Sequence, residues 1–579
     1  MKIIYKFFKR EIKWYIPIIG MLILVDLSQV VIPLFTKKAV DAITKNNTKL
    51  IIQYGLIILA VAAGIILIRY IYNYILRKLV LKLDFELKTS LFKQYVRMPK
   101  SYFEKQEIGD LMARVTNDTR AVRMFLIMGF LGGIDIILLG VTTFVMMFIM
   151  SAKLAVLVAA PLVLLVPLAL NFGHKIHRYF KNVQSIFGEM TVRVREAISG
   201  IRVIKAFTRE NFYLKLFESE NEKYLRENMK LVKLDGFLEP AIDFLIYASL
   251  FILILYGGSL VIKNRISLGT LVAFSQYIGT LAWPMMAIGF TISLLQRARA
   301  SLGRINEVLS AIPEVRDVKP ITVGKLKGEI KIKNLTFRYP DANYSILKNI
   351  TLDINPGELL GITGPTGSGK TTLIELIIRV YNPPEGTIFF SGYDIMKIPL
   401  KTLRGNIAYV PQEPFLFSDT IKENLTLGKK NATLNEINEA LRIAAIKKTV
   451  DSLPNGLETV VGEKGITLSG GERQRIAIAR AVLTKRPVML FDDPLSAVDT
   501  DTEKEIIKNL KKYLKENKIT AVINSQRISA LSVADKVAVI SRGRVIENGT
   551  PGQLFEEKGY YYHLYRKQIL EGMRSDEKE

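Results

Sequence analysis

Apolar residues run with little polar relief through six stretches of the first half of the chain, at about residues 14–35, 52–75, 125–150, 154–172, 237–262 and 270–295. Each is near the roughly 20 residues that an α-helix needs to cross a bilayer core of about 30 Å. The pattern therefore predicts a six-span α-helical transmembrane domain over residues 1–310. The first stretch, WYIPIIGMLILVDLSQVVIPLF, follows a basic flank but is too long for a signal-peptide core and lacks a small-residue cleavage site, so it is expected to stay in the protein. Residues 76–124 and 173–236 are basic, rich in helix formers and poor in glycine and proline. Apolar spacing persists in MTVRVREAISGIRVIKAF, which predicts helices that continue past the membrane as long intracellular extensions. About twenty additional residues at 1.5 Å each would project about 30 Å, enough to reach a soluble domain.

Past residue 310 the pattern changes. Residues 311–325 read as a linker, and GEIKIKNLTFRYP then alternates polar and apolar positions as a half-buried strand does. Over residues 326–579 short strand-like runs alternate with helical ones, which predicts an α/β domain. ELLGIT reads as strand-like, and the four apolar residues of VMLF leading to Asp492 read as a buried strand.

Composition adds constraints. Of 579 residues 49% are hydrophobic, so two or more domains are expected, one of them covered partly by lipid. The formal charge of +26 is accompanied by no zinc, RNA-binding or helix-turn-helix pattern, so no nucleic-acid partner is expected. Lysine and arginine crowd the N-terminus, residues 76–124 and residues 173–236 instead. Cationic loops stay in the cytoplasm, so both termini and the soluble domain are expected there, in a multi-pass protein of the cell membrane. Lys37, Lys38, Lys45 and Lys49 fall on the side assigned as external and run against that rule. With no cysteine and only His174, His177 and His563, disulfides, thiolate chemistry and histidine-rich metal sites are excluded. Asp26, Asp135, Glu239 and Asp243 sit at or near membrane depth, where they either pack helices or line a transport path. Tyr247, Phe274, Tyr277 and Trp283 would suit an amphipathic ligand, although aromatics at helical spacing more often pack.

The chemistry lies in GPTGSGKTT, Gly364 to Thr372, between the strand-like ELLGIT and the helix-like TTLIELIIRVY. Gly364, Gly367 and Gly369, with Thr366 and Ser368 between them, allow backbone N–H groups to approach phosphates. Lys370 reaches the terminal phosphates, Thr371 offers a hydroxyl to Mg2+, and Thr372 continues the helix. Asp492, at the end of VMLFD, is the matching carboxylate for hydrated Mg2+. ATP and Mg2+ are the expected cofactors. Between these motifs stands LSGGE, Leu468 to Glu472, which opens a helix with Ser469, Gly470 and Gly471 at its N-terminus, a good place to recognise an anion.

On these residues the sequence resembles the ATP-binding cassette (ABC) family, specifically the multidrug and lipid exporters that fuse six membrane helices to one cassette. The resemblance assigns Tyr339 to adenine stacking and Gln412 to Mg2+ and the membrane domain. It assigns SAVD, Ser496 to Asp499, to contact between cassettes. TVVGEKG looks like the segment that crosses to the intracellular helices, and SYFEKQEIGDLMARVTNDT and EAISGIRVIKAFTRE look like the family's intracellular loops. It further implies two cassettes closing head to tail, each ATP lying between the phosphate loop of one and the signature of the other.

Two departures stand out. Asp493 occupies the place of the family's catalytic glutamate, and Gln526 that of the histidine that contacts the γ-phosphate. The shorter acid is a misplaced base, and an amide cannot relay a proton. The expected assembly is therefore a heterodimer with a second half-transporter that carries the missing glutamate and histidine. It would export amphipathic or hydrophobic compounds by alternating access. The competing readings are a regulatory or channel-like subunit that binds ATP without pumping, a slow homodimeric exporter, and uptake by the same fold.

Overall fold

The computed structural model describes residues 2–462 and 468–576. The chain divides into two compact units, Met1–Arg97 with Gln106–Ala311, and Met98–Lys105 with Ile312–Glu579. The TVVGEKG stretch lies outside the described residues from position 463 onward.

Six long helices form the first unit: Tyr5–Ile43, Thr48–Arg97, Ile108–Met150, Ala152–Ser199, Glu210–Ile262 and Leu268–Ser310. Every apolar stretch of the sequence lies inside one of them, and each helix is far longer than a bilayer requires. At 1.5 Å per residue the 50-residue second helix is about 75 Å long, more than twice a hydrocarbon core. Leu56, Leu59, Ile66 and Leu67 are largely exposed on that helix, as expected where lipid rather than protein is the apolar partner.

Side chains that do pack form two layers. One joins Ile18 and Leu22 of the first helix to Leu83 and Leu87 of the second and to Ile305 and Val308 of the sixth. The other joins Leu139, Leu154, Val158 and Leu162 to Phe274 and Tyr277. Phe274 and Tyr277 are therefore core residues, and the Tyr277 hydroxyl donates to the Val30 carbonyl at 2.8 Å. Tyr247 and Trp283 are exposed. Of the intramembrane acids, Glu239 and Asp243 are exposed, whereas Asp26 is fully buried beside half-buried Asp135.

The sixth helix is pinned at both ends. At its start the Asp41 carboxylate accepts from Ser267 Oγ and from the Gly269 amide, each at 2.9 Å. Near its end buried Asp118 accepts from Ser301 Oγ at 2.9 Å and from Arg304 Nε at 2.8 Å. Charge-assisted bonds of this kind are about twice as strong as neutral ones, and they fix how the helix enters and leaves the bundle.

In the second unit a six-stranded sheet has the order β10-β9-β3-β8-β7-β6, with β3 Leu359–Thr363, β6 Ile407–Val410, β7 Val488–Asp492, β8 Thr520–Asn524, β9 Lys536–Ser541 and β10 Arg544–Gly549. The strands run parallel except β10. All residues of β3, β7 and β8 are buried, because helices cover both faces of a parallel sheet. A second, antiparallel sheet is ordered β2-β1-β4-β5, with β1 Ile330–Phe337, β2 Leu347–Ile354, β4 Ile388–Phe390 and β5 Tyr393–Asp394.

Met98–Lys105 belongs with this second unit although its neighbours on both sides are membrane helices. Lys100 Nζ donates to Glu375 Oε1 at 2.7 Å, Tyr381 OH to Glu104 Oε2 at 2.6 Å, and Ser101 Oγ to Glu314 Oε2 at 3.1 Å. Burial and the Glu104 carboxylate push the Tyr381 phenol well up, so it remains a donor at any working pH. This is the segment SYFEK, which the sequence assigns to an intracellular loop.

Gly269 leaves no space for a side chain: a Cβ there would fall 2.2 Å from the Lys37 carbonyl oxygen. Gly269→Ala is expected to destabilise the membrane unit by about 1–3 kcal/mol through overpacking. The change is to be read as a lower melting midpoint of the full chain in lipid, with Gly279→Ala, which meets nothing within 4 Å, as the neutral control.

Candidate functional site

Strand β3 ends at Thr363, and at Gly364 the chain turns sharply with φ +143°. A Cβ at this position would lie 1.9 Å from the Ile540 carbonyl oxygen of β9, so only glycine allows the loop to leave the sheet here. The loop closes at Gly369 and the helix Lys370–Ile377 begins. Its first-turn amides have no partner within the helix and, with the helix dipole, favour an anion. Lys370 is buried, and its Nζ donates to the carbonyls of Gly364 and Pro365 at 2.9 Å each. Burial lowers its pKa, while Asp492 and Asp493 oppose that shift.

Register brings the carboxylates to the same edge. Parallel β7 and β8 place Asp492 opposite Asn524. Asp492 Oδ1 accepts from Asn524 Nδ2 at 2.5 Å and from Thr371 Oγ1 at 3.1 Å. Asp492 is 1% exposed, yet its Oδ2 has no hydrogen-bond partner. A buried, unpaired carboxylate oxygen beside a threonine hydroxyl is costly unless a cation or a cation-bound water meets it. The donor set therefore fits Mg2+ held jointly with phosphates, as Mg2+ is usually bound.

A cleft of about 360 Å³ opens over this edge. Thr366, Gly367, Gly369, Lys370, Thr371 and Thr372 form one wall, and Gln412, Asp493 and Gln526 approach from the other strands. Tyr339 completes it, its hydroxyl 3.0 Å from Thr372 Oγ1 and its ring edge-on to Tyr381 at 5.0 Å. Ser368 lies beneath the loop, buried, with its Oγ unpaired. Three wall residues were not singled out from sequence. Asn524 was signalled only by its place at the end of TAVIN. Exposed Tyr344 and half-buried Ile346 were signalled by an apolar pair between Tyr339 and β2.

Asp493 and Gln526 face the same cleft with different constraints. Asp493 has φ +47° and donates its amide to the Asn524 carbonyl at 2.9 Å. Aspartate tolerates this left-handed conformation better than longer side chains do. Burial and then the neighbouring Asp492 raise the Asp493 carboxyl above its ordinary range. Gln526 is exposed, with Nε2 3.5 Å from Thr366 Oγ1.

The signature residues are not in this cleft. Ser469 caps the helix Gly470–Leu483, accepting from the Glu472 amide at 3.2 Å, while the Glu472 carboxylate accepts from the Ser469 amide at 2.7 Å. The glutamate in fifth place thus completes a capping box, as a glutamine would. Gly470 and Gly471 lie against Ala497 of the SAVD turn. Asp499 caps the helix Thr500–Glu516 through the Thr502 amide at 2.9 Å, which holds its carboxyl below the usual range.

The raised Asp493 carboxyl has a stability consequence. Between the ordinary aspartate value of 3.8 and its raised native value, the native state binds more protons than the unfolded chain, so stability falls as pH rises through that window. Asp493→Asn is therefore expected to raise the melting midpoint of the nucleotide-free chain at neutral pH, with the gain shrinking toward zero as pH falls below the aspartate range. A gain of equal size at all pH values would contradict this origin.

Comparison with known proteins agrees with this geometry. Residues 15–285 match the family model for the ABC transporter transmembrane region, and residues 347–496 match the family model for the ABC transporter. The chain is 41% identical over 485 residues to the probable multidrug resistance ABC transporter ATP-binding/permease protein YheI of Bacillus subtilis (strain 168), covering 84% of this chain and 83% of that protein. It is 33% identical over 577 residues to the multidrug resistance-like ATP-binding protein MdlA of Escherichia coli (strain K12), covering 99% and 97%. Among solved structures, a bacterial Atm1-family ABC exporter with ATP bound shares the fold, with a TM-score of 0.79 over 96% of this chain and 98% of that one, at 24% identity. Six membrane helices joined to a phosphate-loop cassette, and relatives of this extent, place the chain in the ABC transporter family, whose members are multi-pass membrane proteins driven by ATP.

Proposed function

We propose that this chain is one half of a heterodimeric exporter in the cell membrane, with its termini and cassette in the cytoplasm. Its own nucleotide cleft holds ATP with Mg2+ and hydrolyses it slowly. Its signature, Ser469 to Glu472, completes a faster site on a companion chain that supplies the missing glutamate and histidine. The observation that carries this reading is that Asp493 and Gln526 line one and the same cleft. Both departures therefore fall on a single terminal phosphate.

The chain's residues divide the work as follows. The loop amides and Lys370 would hold the phosphates, and Thr371, Asp492 and Gln412 would hold Mg2+. Mg2+ supplies neutralisation of charge on the phosphates. Tyr339, with Tyr344 beside it, presents an aromatic wall to the base. Asp493 carries its carboxylate about one carbon–carbon bond short of where a glutamate would, and a misplacement of roughly 1 Å costs about a hundredfold in rate. Gln526 donates a hydrogen bond to the phosphate and relays no proton. Ground-state binding is kept and activation of water is lost.

Nucleotide binding reaches the rest of the chain through named contacts. Tyr339 packs on Tyr381, which bonds Glu104, and Glu375 of the phosphate-loop helix bonds Lys100. The segment Met98–Lys105 leads directly into membrane helices, so movement of the cassette is passed to them by alternating access. Amphipathic or hydrophobic cargo is supported by the relatives: YheI is a probable multidrug resistance transporter, MdlA a multidrug resistance-like protein, and further relatives are ATP-dependent lipid A-core flippases.

The purified chain alone is expected to bind Mg-ATP and to show ATPase activity at least about a hundredfold below that of the assembled pair. Changing Asp493→Glu together with Gln526→His is expected to raise hydrolysis by tenfold or more, less a strain cost of about 1 kcal/mol for glutamate at φ +47°. Rapid turnover by the unaltered chain on its own contradicts the proposal.

A further inference from the structure

The turn that carries Gln526 is held by a residue 42 positions further along. Gln568, half-buried on the C-terminal helix Tyr560–Asp576, donates its Nε2 to the Gln526 carbonyl at 2.7 Å. Its Oε1 accepts from the Ile528 amide at 2.9 Å. One orientation of the amide satisfies both bonds, since a carbonyl requires a donor and an N–H an acceptor. Ile528 opens the short helix Ile528–Leu531, whose N-cap residue, Arg527, provides no side-chain cap. Gln568 supplies that cap from a distance.

Arg527, between the two gripped residues, is also engaged. Its guanidinium donates to the carbonyls of Val498 at 3.1 Å and Ser496 at 3.2 Å, and pairs with buried Glu503, which Ser529 also bonds. The backbone of residues 526–528 is thus fixed on one side to the C-terminal helix and on the other to the SAVD turn.

We propose that Gln568 is a positioning residue: the C-terminal helix sets the reach of the Gln526 amide toward the terminal phosphate of bound nucleotide, and so sets how long this cleft retains ATP. Movement of that helix would be transmitted to Gln526 directly and to the SAVD turn through Arg527. The inference rests on Gln526 facing the phosphate, as in the function proposed above.

Gln568→Glu separates positioning from simple packing. The carboxylate still accepts from the Ile528 amide and keeps the cap, but opposes the Gln526 carbonyl with a second acceptor. In the full chain in lipid nanodiscs, release of Mg-ATP carrying a fluorescent ribose label is expected to be about tenfold faster for Gln568→Glu and Gln568→Leu, the loss of one to two hydrogen bonds. In a Gln526→Ala background, Gln568→Glu is expected to change release by less than about twofold, because the side chain it positions is gone. A tenfold effect in both backgrounds, or unchanged release in both Gln568 variants, overturns the proposal. The cycle decides the matter even where a variant lowers the melting midpoint. If the unaltered chain proves to hydrolyse ATP rapidly, the slow-site reading falls by itself. The same non-additivity is then expected in kcat, and additive effects there overturn the positioning role.

Discussion

The register of three buried parallel strands governs this cassette. Strand β3 delivers the phosphate loop, β7 delivers Asp492 and Asp493, and β8 delivers Asn524 with Gln526 two residues on. Because Asp492 sits directly opposite Asn524, their side chains meet at 2.5 Å, and Thr371 joins from the loop helix. A slip of one residue would turn every side chain to the other face and disperse this group. The strands are apolar on both faces and sealed by helices, so the register is fixed by the whole core rather than by the polar contacts at its rim. Those contacts inherit their precision from the sheet. One Asp492 oxygen is left buried and unpaired, an arrangement that fits a cation brought in with phosphates.

On the function proposed above, the same constraint keeps the departures at positions 493 and 526 local. Asp493 keeps its backbone bond to Asn524, and the left-handed turn it occupies suits aspartate. Gln526 keeps its place on the cleft wall. Lys370, Thr371 and Tyr339 line the same cleft. On the proposed reading the site departs from the family pattern only where a water molecule would be aimed. The signature helix, capped by Ser469 and Glu472, is intact in its own right and faces a different task.

Much of the fold was legible in the sequence, and for a physical reason. Membrane spans must be continuous apolar helices, since no other partner for backbone groups exists in lipid, so the six stretches announced themselves. Helices longer than the bilayer were announced by apolar spacing that persisted through basic segments. VMLFD read as a buried strand because it is one. What stayed hidden depended on contacts remote in sequence. That Met98–Lys105 folds with the cassette rests on Lys100 meeting Glu375 and on Tyr381 meeting Glu104, pairs more than 270 residues apart. Asn524 and Tyr344 belong to the cleft for reasons of register and loop path that no short motif records. Phe274 and Tyr277 suit a pocket by residue type and packing by helical spacing, the commoner case, and their complete burial decides for packing.

The account stands on the chemical state of the nucleotide held by this chain in its native assembly. The direct measurement is photolabelling of complexes purified from membranes, using azido-ATP labelled at the α- or the γ-phosphate, after several turnovers. Label attached to this chain should retain its γ-phosphate almost in full, while label on the companion chain has lost it. Equal loss of the γ-phosphate from both chains, or the absence of any chain other than this one in an active complex, would contradict it.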